Sequence, residues 1–131
     1  MNKFAIAVAG ALIGGLALQS VATAGATFAQ PITVGTNIGY GSMKSARFSA
    51  NTKEFIGCGV YGAINQGAST TYVTCSATDA AGRYVGCSTY APAPQLVQAA
   101  LAISATSQII FQKDGASNCT YIYVNNNSAN M

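Results

Sequence analysis

Four cysteines and no histidine constrain this chain more than any other feature. Cys58, Cys75, Cys87 and Cys119 follow one another at separations of 17, 12 and 32 residues. A zinc site spaces its cysteines roughly two to four residues apart and often adds histidine. A redox pair takes the C-x-x-C form. Neither pattern is present, and an even number of cysteines in a short chain is what a disulfide framework requires. The four are read as two disulfides, with no metal and no cofactor implied.

Disulfides persist in oxidising compartments, and the amino end predicts export to one. Lys3 precedes an uncharged, mostly apolar run from Phe4 to about Leu18, and Ala22-Thr23-Ala24 supplies the small residues of a signal-peptidase site. That order is a secretory signal peptide. The run is short for a membrane span, which needs about 20 residues. Residues 1–24 are expected to be removed, with cuts after Ala26 or Ala29 as alternatives. Residues 25–131 then form one exported domain with a flexible tail from about residue 125. No second long apolar run follows, so no membrane insertion of the mature chain is expected. The expected location is the periplasm, the cell surface or the extracellular space.

Charge excludes some partners. Only 7% of the chain is charged. After the signal segment, Lys44, Arg47, Lys53, Arg83 and Lys113 stand against Glu54, Asp79 and Asp114, a net charge of +2. Nucleic-acid recognition calls for a concentrated basic stripe, which is missing. So low a charge suits a protein held in a dense assembly, because freely diffusing chains use charge to stay apart.

Side-chain alternation predicts strands through the middle of the chain. FIGCGVYG places Ile56, Cys58 and Val60 on one side; TYVTCSA places Val73, Cys75 and Ala77 there; RYVGCS places Val85 and Cys87 there. NQGAS at 65–69 and TDAAG at 78–82 are turn sequences, so the three segments read as an antiparallel meander. QLVQAALAISA, preceded by Pro94 in the position a first helical turn accepts, places Leu96, Val97, Ala100, Leu101 and Ile103 on one helical face. SQIIFQKDGASNCTYIYVNN reads as two strands about Lys113-Asp114-Gly115. The stretch 42–53 is read as a strand or an irregular segment. The predicted fold is α+β: a small disulfide-stabilised antiparallel sheet of five or six strands, meander plus C-terminal hairpin, with one helix packed on one face.

Four cysteines allow three connectivities. Hairpins centred near 66–67 and near 80–81 bring Cys75 opposite Cys58 and opposite Cys87 respectively. The expected pairing is Cys75–Cys87 with Cys58–Cys119.

The residue inventory argues against an enzyme. Histidine, the commonest general acid–base, is absent, and Asp79 and Asp114 fall in turns, where such side chains bond nearby backbone. No nucleophile-elbow, phosphate-loop or dinucleotide motif occurs. The sharper feature is the second face of the meander. Phe55, Tyr61, Tyr72 and Tyr84 share it with Gly57, Gly59, Thr74, Ser76 and Gly86. Such a face is a second core layer if residues 30–50 cover it, and a binding or assembly surface if they do not. The reading that follows is a non-enzymatic exported protein acting by binding or self-assembly, as a cell-surface or extracellular structural subunit. Its partner is a second copy or an extracellular polymer or protein, and residues 31–41, PITVGTNIGYG, are a candidate donor strand. The alternative is a secreted recognition module for a polysaccharide or a partner protein, for example an inhibitor.

Overall fold

A computed structural model describes residues 30–127. The expected signal peptide, its cleavage positions and residues 128–131 lie outside the described residues.

The meander forms as its alternation dictates. β3 (Phe55–Asn65) and β4 (Ala68–Thr78) are each 11 residues long. They are joined by Gln66-Gly67, whose φ angles of 49° and 84° are both positive, the condition for the tight turn that matches strand twist. β5 (Tyr84–Tyr90) follows, after a turn closed by Asp79, whose carboxylate accepts from the Arg83 backbone N–H at 2.9 Å and from Arg83 Nε at 2.7 Å. The sheet order is β3-β4-β5.

The remaining strands build a second sheet. β1 (Thr33–Val34), β2 (Ile38–Ser42), β6 (Gln108–Lys113) and β7 (Cys119–Asn125) lie in the order β1-β2-β6-β7, all antiparallel. The single sheet expected from the sequence is thus two sheets and seven strands. The described residues are mostly antiparallel β-structure with two short helices, α1 (Met43–Arg47) and α2 (Pro94–Leu101), and two disulfides.

One core joins the sheets. Ile56, Val73, Cys75, Ala77, Val85 and Cys87 come from the three-stranded sheet, and Val34, Ile109, Phe111, Cys119 and Ile122 from the four-stranded one. Ile109 and Phe111 are fully buried, each contributing roughly 1.5–3 kcal/mol by leaving water. Close approach depends on Gly39: a methyl there would sit 2.7 Å from the Phe111 ring and 3.0 Å from Ala77 Cβ.

The helix expected across the meander takes a smaller role. Leu96, Val97 and Ala99 of α2 pack at the margin of the core, as do Val60 and Val124, while Leu101, the last helical residue, is exposed. Residues 43–47, read as strand or irregular, are helical, with Ser42 Oγ accepting from the Ser45 N–H at 3.4 Å as an N-cap. Residues 31–41, the candidate donor strand, are used within the chain: they supply β1 and β2, and Ile32 and Val34 are buried. The tail expected from about residue 125 is anchored at its start, because Asn126 Nδ2 donates to the Ala102 carbonyl at 2.9 Å.

Candidate functional site

The disulfides set the register of the candidate face. Cys58 pairs with Cys75 and Cys87 with Cys119, in place of the expected Cys75–Cys87 and Cys58–Cys119. The reason is the phase of the β-ladder. In an antiparallel pair, opposed residues alternate between hydrogen-bonded positions about 5.5 Å apart at Cα and closer non-hydrogen-bonded positions about 4.5 Å apart. The two-residue turn closes on Asn65 and Ala68 as a hydrogen-bonded pair, which puts Cys58 and Cys75, opposite in register, at the close kind of position. Their Cα atoms are 4.0 Å apart. Across β4 and β5 the Asp79 N–H bonds the Arg83 carbonyl, so Cys75 opposes Cys87 at the wider, hydrogen-bonded kind, where Cβ atoms stand too far apart for a sulfur bridge. Cys87 instead reaches Cys119 on β7 and ties the two sheets together. The sulfurs of Cys75, Cys87 and Cys119 lie within 4.8 Å of one another. All are bound in disulfides, so this cluster offers no thiolate to a metal.

With the cysteine face turned to the core, the other face of the three-stranded sheet points outward. Residues 31–42 cover the cysteine side, not this one, and the expected alternative of a second core layer is not realised. Phe55, Tyr61 and Tyr84 are exposed, Tyr84 at 66%. Tyr72 is half-buried because it is flanked on both sides. Tyr61, Tyr72 and Tyr90 oppose one another across three strands. The first two rings stack at 5.0 Å and 11°, and Tyr90 meets Tyr72 edge-on at 5.3 Å. Tyr90, 64% exposed, is left out of the sequence reading, although two further steps of the same alternation beyond Gly86 reach it. Phe55 and Tyr84 form a second aromatic pair at 6.5 Å.

The two rows stand six residues apart along β3, or about 20 Å at the rise of a strand. Between them the sheet is floored by small residues, Gly57, Ser76 and Gly86 in one row and Gly59, Thr74 and Ser88 in the next. The Tyr84 ring lies across Gly86, in the space a side chain there would take. An open groove of about 470 Å³ runs over Thr74, Ser76, Gly86 and Ser88 toward Ser117. None of the three strands, 55–65, 68–78 and 84–90, carries a charged residue. The outer face of the second sheet is similar: Tyr40, Ile110 and Tyr123 form a row, with Tyr121 beside it, and all three tyrosines are exposed.

The carboxylates are engaged elsewhere. The Ser49 hydroxyl donates to Glu54 and does most to hold its carboxyl below the ordinary value; Asn51 Nδ2 at 2.7 Å and the Ile32 N–H at 3.3 Å assist, against partial burial. Burial pushes Asp79 up, but the Arg83 backbone N–H, its guanidinium and the Ala81 backbone together bring it below the ordinary value. Asn118, through side chain and backbone, lowers Asp114. Each of the three closes a turn or fastens a loop. Comparison with protein-family models, curated proteins and solved structures finds no match to this chain.

Proposed function

We propose that this is a small exported, non-enzymatic protein that self-assembles through its outer tyrosine faces as a cell-surface or extracellular structural subunit. The observation that carries this reading is the open face of the three-stranded sheet, with the Tyr61, Tyr72 and Tyr90 row and no charge on its strands. Tyrosine buries a large apolar area while keeping a hydroxyl for the wet rim. An uncharged face meets its own copy without like-charge repulsion. The second tyrosine-bearing face, on the opposite sheet, gives each subunit two such surfaces. Two disulfides stiffen so small a core, each by about 2–4 kcal/mol, and they suit an oxidising exterior. No helix among the described residues is long and apolar enough to cross a membrane.

The groove floored by Thr74, Ser76 and Ser88 between aromatic rows favours one second reading, a recognition module for a neutral polysaccharide, with rings stacking on sugars and hydroxyls bonding to them. Tyr84→Ala and Tyr90→Ala separate the readings. In a subunit they reduce assembly of the protein alone. In a recognition module they leave a monomer unchanged and weaken retention on insoluble polysaccharide. Unaltered assembly and unaltered retention in both variants would contradict both.

A further inference from the structure

β3 is an edge strand of a kind that folded proteins normally protect. Among the described residues it pairs only with β4. Exposed edges are usually blunted by charge, proline, bulges or a covering segment, yet the 11 residues FIGCGVYGAIN contain neither charge nor proline, and their pairing with β4 runs without a bulge. The ladder phase set by the turn sends the N–H and C=O groups of Ile56, Cys58, Val60, Gly62 and Ile64 away from β4. None of these groups finds a partner among the described residues. Gly59, Tyr61, Gly62 and Ile64 are exposed, Ile64 at 80%. The other edge of the same sheet is guarded, because the Ser88 N–H on β5 donates to the Ser117 carbonyl of the β6–β7 turn at 3.0 Å.

We propose that β3 is a dimerisation edge whose occupant is β3 of a second copy, antiparallel about a two-fold axis at Tyr61. An edge without charge is self-complementary, and a two-fold axis lets it present the same groups to its copy. In this register Val60 bonds Gly62 of the partner, and Tyr61 meets its own equivalent. The Tyr61, Tyr72 and Tyr90 rows of both copies then fall in line across a six-stranded sheet. The consequence, a doubled aromatic face, rests on the assembly reading above; the edge itself does not.

Gly62→Pro tests it. Proline at an outward-facing position removes an edge donor and leaves the β3–β4 ladder intact, and a side chain at this position makes ordinary contact with the Thr70 carbonyl at 3.7 Å. Sedimentation of the oxidised protein is expected to show a wild-type dimer and, for Gly62→Pro, a dissociation constant raised by at least about tenfold. Ile64→Lys is expected to act in the same direction, and it guards against a proline variant that fails to fold. Tyr90→Ser, on β5, is expected to keep the dimer while losing larger species. A dimer as tight in Gly62→Pro and Ile64→Lys as in wild type would overturn the edge, as would a Tyr90→Ser variant that loses the dimer. Larger species undiminished in Tyr90→Ser would instead count against the tyrosine face, with the edge standing.

Discussion

Cys58 and Cys75 face each other across β3 and β4 with Cα atoms 4.0 Å apart and are joined, whereas Cys75 and Cys87, equally in register across β4 and β5, are not. The three stand side by side in one row of the sheet, and only the ladder phase distinguishes the two possible bridges. The bridge left over, Cys87–Cys119, crosses from one sheet to the other. Phase therefore decides both how the hairpin is clamped and how the sheets are stapled.

The proximity of the sulfurs has a testable chemical result. In Cys58→Ser, Cys75 is left as a thiol whose sulfur lies within 4.8 Å of both members of the Cys87–Cys119 disulfide. Its thiolate attacks the Cys119 sulfur, forms a Cys75–Cys119 disulfide and releases Cys87 as thiolate. Peptide mapping under non-reducing conditions is expected to find Cys75 bridged to Cys119, with Cys87 free, in part of the population. In Cys75→Ser, the remaining Cys58 thiol lies outside this cluster, and only Cys87–Cys119 is expected.

Much of this was legible in the sequence, and the reason is local. The meander follows from period-two alternation and two turn sequences, so the face carrying Phe55, Tyr61, Tyr72 and Tyr84 can be read residue by residue. α2 follows from Pro94 and its helical spacing. The split into two sheets is not local: β2 pairs with β6 across more than sixty residues, and IGYGS is too glycine-rich and short to announce a core strand. Tyr40, Tyr121 and Tyr123 gain meaning only once that pairing sets them on one face. The disulfide map needed the ladder phase, which the Gln66-Gly67 turn fixes but which face-by-face alternation does not express.

Gly39 lies under the ring of Phe111, its partner across β2 and β6, and against Ala77 of the other sheet. Gly39→Ala is expected to destabilise the fold by about 1–3 kcal/mol, the usual effect of overpacking a filled core, because the added methyl meets the Phe111 ring at 2.7 Å and Ala77 Cβ at 3.0 Å. Urea unfolding of the oxidised variant measures this. Gly57→Ala, where a methyl meets nothing within 4 Å, is the control and is expected to be close to neutral.

Stability is expected to fall with pH on the acid side of neutrality. Glu54, Asp79 and Asp114 all have carboxyls held below their ordinary values of 4.5 and 3.8. A carboxyl whose pKa is lower in the folded state stabilises the fold when ionised, and that contribution is lost as pH falls through the ordinary value and then the folded one. With no histidine in the chain, the thermal midpoint is expected to be nearly constant from about pH 6 to pH 8 and to fall below about pH 4.5. Glu54→Gln is expected to start lower at neutral pH and to lose less on acidification.

Sedimentation velocity of the oxidised chain beginning at Gly25, across a concentration series, reads the proposed self-assembly without any other partner. A self-assembling subunit gives a dimer at the low end and larger species that grow with concentration, with Tyr84→Ala and Tyr90→Ala shifting that growth to higher concentration. A single sharp monomer at every concentration would contradict it.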